Sequence, residues 1–160
     1  MQFGLVMNDF SDLLRPEAVY KDVAVAHKKA LFAQLAVATD ALGLNGRLAA
    51  ERLAARERIG STGFGGGVAI PHARLPDIDT VTGVFMRLAQ PIEFDAVDDL
   101  PVDLIFMLMS PVEAGAEHLK ALARVSRRLR DRIFLAKLRG AGSPDALYAL
   151  FTADAARDAA

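Results

Sequence analysis

The chain has 160 residues, 52% of them apolar, and nineteen basic residues against twenty acidic ones leave a formal net charge of -1. This balance does not favour nucleic acid or an anionic membrane as a partner, and the absence of cysteine excludes disulfides, thiolate metal ligands and thiol catalysis. The length suits a single domain over residues 1–160. With no basic leader and no apolar run long enough to span a membrane, we expect a cytoplasmic protein.

Two helices are predicted before residue 60. Between Glu17 and Val25 the pattern is ambiguous, and its β-branched residues favour an extended segment. From His27 to Leu42 apolar residues recur at helical spacing, and a glycine follows as a stop signal. Asn45 is a suitable N-cap for a second helix that runs to Arg58. Arg56 therefore lies in the last turn of that helix.

A glycine-rich segment separates these helices from the predicted sheet. Residues 60–67 hold five glycines, which indicates a loop that needs backbone freedom. A short strand, Val68–Ile70, leads from the loop towards His72. Further strands are predicted at Thr82–Leu88 and Val102–Met109. The second of these is nearly all apolar, as is typical of a sheet centre covered on both faces.

The two long strands are joined by short connections near Gln90 to Asp99, with Ile92–Phe94 as a hairpin arm. Such short connections suit antiparallel pairing. After Pro111 a helix is predicted with His118 in its first turns, and its buried face is expected to carry Leu119, Leu122, Val125, Ser126 and Leu129. Two shorter helices, Asp131–Leu138 and Ser143–Phe151, come next, the last one capped by Ser143. Helices before and after the strands predict an α/β sandwich, a single domain with a central mixed β-sheet flanked by helices.

The glycine loop does not match a nucleotide-binding motif. A phosphate-binding P-loop needs a Gly-Lys-Ser/Thr sequence, which this loop lacks, and Val68 stands where the last glycine of a dinucleotide fingerprint would be. A metal site is not indicated either, because His27, His72 and His118 are far apart and have no cysteine partner. We therefore expect no cofactor and no metal.

His72 is the strongest candidate for chemistry. It follows a predicted strand and a glycine-rich approach, so we expect its imidazole at a sheet edge within reach of a partner protein. A neutral imidazole is a competent nucleophile towards phosphorus near pH 7. The alternative is a histidine that only caps a turn. For His118 the sequence alone favours a solvated position on the helix surface, near Glu117.

Several sequence motifs together resemble a known family, the IIA domains of the fructose, mannitol and nitrogen-regulatory branch of the bacterial sugar phosphotransferase system. The resemblance covers residues from about 10 to 151. It rests on Arg56-Glu57, Ser61-Thr62-Gly63-x-Gly65-x-Gly67-x-Ala69-Ile70-Pro71-His72, Pro101-Val102-Asp103-Leu104, and His118-Leu119. It implies the fructose/mannitol-type IIA fold. Because no permease or IIB segment is attached, we expect the nitrogen-regulatory branch.

The resemblance also implies roles for individual residues. His72 matches the phosphorylated histidine, His118 a second histidine beside it, and Arg56 an arginine that holds phosphoryl oxygens, for which a guanidinium is well shaped. Loop amides up to Gly67 and the hydroxyls of Ser61 and Thr62 are expected to add hydrogen bonds. For the two hydroxyl residues a purely structural role in the turn is an equally good interpretation.

The implied function is a phosphoryl-carrier regulatory protein. It would accept phosphate on His72 from a histidine phosphocarrier of the HPr or NPr kind and regulate target proteins through its phosphorylation state, as a phosphotransferase component and not a stand-alone enzyme. The alternatives are a sugar-transport component that passes phosphate to a IIB domain, and an interaction module without chemistry. One residue departs from the family, which usually has glycine after the phosphorylated histidine. If this position needs a positive φ, Ala73 would be strained there.

Overall fold

A mixed six-stranded β-sheet forms the centre of the fold. The computed structural model describes residues 9–153. Its strands are β1 (Leu14–Val23), β2 (Gly63–Gly65), β3 (Val68–Ala69), β4 (His72–Leu75), β5 (Thr82–Ile92) and β6 (Val102–Pro111). The strand order is β1-β5-β6-β3-β2, and β4 also pairs with β6. Strands β5 and β6 are antiparallel, whereas β1 runs parallel to β5, and β3 and β4 run parallel to β6. The predicted mixed sheet is confirmed.

Within residues 9–153, five helices flank this sheet. They are α1 (Lys28–Ala41), α2 (Gly46–Ile59), α3 (Gly115–Arg128), α4 (Arg132–Gly140) and α5 (Pro144–Thr152). The predicted caps are in place, because Asn45 accepts a hydrogen bond from the backbone N–H of Leu48 and Ser143 from that of Ala146. His27, to which no role was assigned, caps α1 through Nδ1. Across residues 9–153, no helix is both long and apolar enough to cross a membrane.

The two faces of the sheet are covered by different helices. Met109 and Ser110 are consecutive in β6, so their side chains point to opposite faces. The Thr39 hydroxyl of α1 contacts the Met109 sulfur, whereas Ser110 Oγ contacts His118 of α3. Helices α1 and α3 therefore lie on opposite sides of the sheet, which confirms the predicted sandwich. The strand between them, β6, is buried along nearly its whole length.

The structure corrects two predicted segments and adds one strand. The ambiguous segment at Glu17–Val25 is a strand, but β1 begins earlier, at Leu14, and ends at Val23. The predicted hairpin arm is the end of β5, because Ile92 pairs with Val102 and Phe94 lies buried in the loop beyond. The structure also adds β4, which was not predicted. His72 therefore begins a strand and does not merely follow one.

The buried face of α3 also differs from the prediction. Leu119 is 64% exposed, whereas His118 is only 6% exposed and lies with Ala121 and Val125 on the side that packs against the sheet. Positions 118, 121 and 125 share one helix face, and position 119 is turned about 100° from 118. The predicted burial of Leu119 is therefore wrong.

Ala73 is free of the strain considered above. It lies in the middle of β4, is buried, and is not among the non-glycine residues of positive φ in the described chain, which are Asp22, Asp95 and Asp99. An extended strand residue suits alanine as well as glycine. The departure from the family at this position therefore leaves the backbone unstrained.

Candidate functional site

His72 and Arg74 lie on one face of β4 because they are two residues apart in an extended strand. The parallel pairing places His72 beside Leu108 and Arg74 beside Ser110 of β6. This is the face on which α3 packs, since Ser110 contacts α3 through His118. The strand register therefore brings the His72 imidazole and the Arg74 side chain to the side of the sheet covered by α3.

The tautomer of His72 follows from its hydrogen bond. Nδ1 lies 2.8 Å from the carbonyl oxygen of Ile70, and a carbonyl can only accept, so Nδ1 carries the proton. Nε2 of the neutral ring is then left with its lone pair. Burial lowers the pKa of His72, and the charges of Arg56 and Arg74 lower it further, against the opposing effects of the Ile70 hydrogen bond and Glu57. The imidazole therefore stays neutral and nucleophilic near pH 7.

His118 reaches the same place from α3. Its ring centroid lies 5.5 Å from that of His72, and its Nδ1 is 2.6 Å from Ser110 Oγ. The ring is buried, not solvated as the sequence alone favoured. Burial lowers the pKa of His118, with smaller effects in the same direction from Arg74 and His72. Both imidazoles of the site are therefore held in the neutral form.

Arg56 and Arg52 enter from α2, one turn apart. Arg56 donates a hydrogen bond of 2.9 Å to the carbonyl of Gly60 at the end of its helix, which leaves most of its guanidinium N–H groups for a ligand. Arg52 donates one of 2.9 Å to the carbonyl of Arg74 and so ties α2 to β4. The structure thus brings Arg56 together with His72, as the resemblance implied, and adds Arg74 and Arg52.

These side chains line one open depression of about 470 Å³, whose lining residues are Arg52, Ala55, Arg56, His72, Ala73, Arg74 and His118. It contains three arginines and two neutral imidazoles, and none of these lining residues is acidic. Three other depressions of the described chain each include at least one carboxylate, such as Glu117, Glu57 or Asp77. This depression therefore has the charge that an anionic group requires.

The predicted loop residues lie elsewhere. The Ser61 hydroxyl donates to the carbonyl of Phe94 over 2.7 Å, and the Thr62 hydroxyl donates to Glu57 Oε1 over 2.7 Å. A Cβ added at Gly67 would meet Arg139 and Asp103, on a different part of the surface. None of the three loop residues lines the depression. The hydroxyls of Ser61 and Thr62 instead hold the loop against the segment that contains Phe94 and against Glu57.

Neither Arg74 nor Ser110 was assigned to the site from the sequence, and only Arg74 could have been found from the sequence pattern. Arg74 stands two residues after His72, so an extended segment would have placed both side chains on one face. Ser110 is distant from both histidines in sequence, and only the pairing of β4 with β6 brings it close. Among the residues that the structure describes, no cluster of His, Asp or Glu is suited to hold a metal ion.

Comparison with known proteins identifies relatives over nearly the whole chain. Residues 12–154 match the family model "Phosphoenolpyruvate-dependent sugar phosphotransferase system, EIIA 2". A protein named nitrogen regulatory protein from Bradyrhizobium diazoefficiens is 45% identical over 141 residues, which cover 88% of this chain and 92% of the relative. The protein of the same name from Escherichia coli is 42% identical over 127 residues, covering 78% of this chain and 77% of its own.

The fold has a close counterpart among solved structures. The crystal structure of nitrogen regulatory protein IIA-Ntr from Neisseria meningitidis superimposes with a TM-score of 0.82 at 35% identity, over 88% of this chain and 97% of that one. The mixed sheet and its flanking helices are therefore shared with a protein of that name.

Proposed function

Because the chain belongs to the EIIA 2 family of the phosphoenolpyruvate-dependent sugar phosphotransferase system, we propose that it carries a phosphoryl group on Nε2 of His72. Its relatives support a regulatory role of the phosphocarrier type, and family membership implies a partner that is either a phosphocarrier or a IIB domain. We propose further that a histidine phosphocarrier of the HPr or NPr kind is the donor. Regulatory target proteins would then distinguish the phosphorylated form from the free one.

The observation that carries this proposal is the unprotonated Nε2 of His72 in a depression lined by arginines and free of carboxylates. Phosphoryl transfer needs little covalent work from a protein beyond positioning and stabilisation of spread negative charge. The lone pair of Nε2 forms the new P–N bond, and the electron pair of the donor's P–N bond returns to the leaving imidazole. His72 keeps its proton on Nδ1, donated to the Ile70 carbonyl, so its phosphorylated ring carries one positive charge. The donor ring, with its own second nitrogen protonated, gives up that charge and leaves as a neutral imidazole, so no proton is transferred.

The guanidinium groups supply the stabilisation. Arg56 and Arg74 both lower the pKa of His72, which places their positive charge near the ring that would carry the phosphoryl oxygens. In the protonated state of His72 the same charges would repel the imidazolium, so they also keep the nucleophile free. Their position beside His72 supports the proposal that Arg56 holds phosphoryl oxygens and that Arg74 shares this role.

The test is transfer of radiolabelled phosphate from phosphoenolpyruvate through enzyme I and a histidine phosphocarrier. We expect an acid-labile, base-stable label on this chain, and we expect His72→Ala to abolish it. His27→Ala is the matched control, because His27 is exposed and caps α1 away from the depression. A label that persists in His72→Ala, or that is lost in His27→Ala, would contradict the assignment of Nε2.

The same preparation separates the two physiological uses. Incubating the labelled chain with a fructose- or mannitol-type IIB domain measures whether the phosphate moves on. We expect retention of the label, in keeping with relatives named nitrogen regulatory protein. Rapid and complete transfer to IIB would assign the chain to sugar transport instead. If the chain binds the phosphocarrier but takes up no label, it is an interaction module.

A further inference from the structure

The buried hydroxyl of Ser110 lies against His118, which lines the depression, and it has one polar contact in the described residues. Ser110 is fully buried, and its Oγ is 2.6 Å from Nδ1 of His118. Within residues 9–153, no other hydrogen-bond partner of this hydroxyl is recorded. In this contact either the Ser110 hydroxyl donates to Nδ1 of His118, or Nδ1–H donates to the hydroxyl oxygen.

Only one of the two arrangements satisfies both groups. If Nδ1 of His118 donated to Ser110, the hydroxyl proton would be buried without an acceptor, which native structures avoid. If the hydroxyl donates to Nδ1, both polar atoms are satisfied. The neutral ring then carries its proton on Nε2, the only other atom through which it can form a hydrogen bond.

We propose that Ser110 is a positioning residue that holds His118 as the Nε2–H tautomer, so that His118 offers a hydrogen-bond donor to a phosphoryl group carried on His72. The proposal rests on the proposed function of His72. Two observations beyond the contact itself support it: His118 lines the same depression as His72, and the two ring centroids are 5.5 Å apart. A lone pair on His118 Nε2 would repel phosphoryl oxygens, whereas an N–H attracts them.

Neutrality of His118 makes the tautomer matter. Burial and the charge of Arg74 lower the pKa of this ring, so it is not an imidazolium with two donors near pH 7. A neutral imidazole has a single N–H, and which nitrogen carries it decides whether the ring helps or hinders an anion. The pairing of β4 with β6 places Arg74 beside Ser110. The positive charge of Arg74 and the hydrogen bond of Ser110 therefore act on the same ring, that of His118.

Nitrogen-15 NMR of the imidazoles reads the tautomer directly. In the unphosphorylated wild-type chain we expect His118 to show an unprotonated Nδ1 and a protonated Nε2. In Ser110→Ala we expect the two tautomers to mix, and in Ser110→Thr, which keeps a hydroxyl, we expect the wild-type pattern. A protonated Nδ1 in the wild type overturns the proposal whether or not any variant folds.

The rate of phosphoryl acceptance tests the consequence. We expect Ser110→Ala to slow acceptance about 2- to 10-fold, the effect of one neutral hydrogen bond. Ser126→Ala, a serine of α3 outside the depression, is the control and should leave the rate unchanged. In a His118→Gln background, removal of the Ser110 hydroxyl should have no further effect. An equal effect in both backgrounds would mean that Ser110 does not act through His118.

The two proposals fail in different ways. If the wild-type chain takes up no phosphate, the function assigned to His72 is wrong, and the wild-type NMR spectrum still decides the tautomer of His118. If the chain is phosphorylated normally while His118 carries its proton on Nδ1, the function holds and the role of Ser110 falls.

Discussion

Removal of Arg56 should slow phosphoryl acceptance while the fold survives. Its guanidinium has five N–H donors and uses one in the 2.9 Å bond to the carbonyl of Gly60. We expect a donor of this kind to contribute a charge-assisted hydrogen bond of about 1.5–3 kcal/mol to the transferring phosphoryl group. Arg56→Ala should therefore slow transfer roughly 10- to 150-fold.

The same variant separates a site effect from a folding effect. The bond to Gly60 lies at an exposed helix end, so its loss should cost at most about 1.5 kcal/mol, or about 6 °C in Tm for a chain of this size. Burial is the largest cause of the lowered pKa of His72, and the charge of Arg56 lowers this pKa further. In Arg56→Ala this pKa should rise, so the acidic limb of the pH–rate profile should move to higher pH.

Rapid-quench measurement of label transfer gives the rate, and Arg58→Ala is the matched control. Arg58 stands two residues later in α2, is exposed, and lines a different depression. We expect Arg58→Ala to transfer at the wild-type rate. Arg56→Lys should fall between the wild type and Arg56→Ala, because it keeps the charge and loses the fork geometry. Equal rates for Arg56→Ala and Arg58→Ala would refute the placement of Arg56 in the site.

Two further predictions concern stability. The folded-state pKa values of His72 and His118 are lowered, so the unfolded chain binds protons first, and the free energy of unfolding should fall as the pH drops through about 6.5. Urea midpoints at about pH 7.5 and about pH 5.5 measure this fall, which a double His→Gln variant should reduce; an unchanged fall would contradict the burial of both rings. A Cβ at Gly46 would collide with the backbone carbonyl of Ala36, so Gly46→Ala should destabilise by about 1–3 kcal/mol. Gly140→Ala, with open space around it, should be neutral or slightly stabilising, and similar midpoints for both glycine variants would argue against the close contact of α1 with α2.

The long elements could be predicted from sequence, and β4 shows why a short one could not. The nearly all-apolar sequence of β6 predicts a buried strand, and the capping residues of α2 and α5 predict where these helices begin. Strand β4 has only four residues, two of them His72 and Arg74, and neither has strong strand propensity. Its strand conformation comes from parallel pairing with β6, a contact between distant segments that no local pattern contains.

The site shows the same limit. Hydropathy predicts that Leu119 lies on the buried face of α3 and His118 on the exposed face, and the structure has the opposite arrangement. A histidine can face the sheet here because Ser110 lies beneath it and satisfies Nδ1. This compensation depends on a pair of residues on two different elements. The resemblance implies His118 as a site residue, but only the pairing of the folded elements shows that Ser110 makes its burial tolerable.

The positive charge of the site is local, because three arginines and no carboxylate line the depression while the chain as a whole has no excess of basic residues. The whole chain has nineteen basic and twenty acidic residues. Two arginines elsewhere are paired with carboxylates: Arg124 is 2.8 Å from a carboxylate oxygen of Asp12, and Arg139 is 2.7 Å from one of Asp103. Arg56, by contrast, donates its hydrogen bond to the backbone carbonyl of Gly60, a neutral group that does not compensate its charge. A nearly neutral protein thus holds a local positive field at His72, which an added phosphoryl group of about -1.5 to -2 charge would partly neutralise.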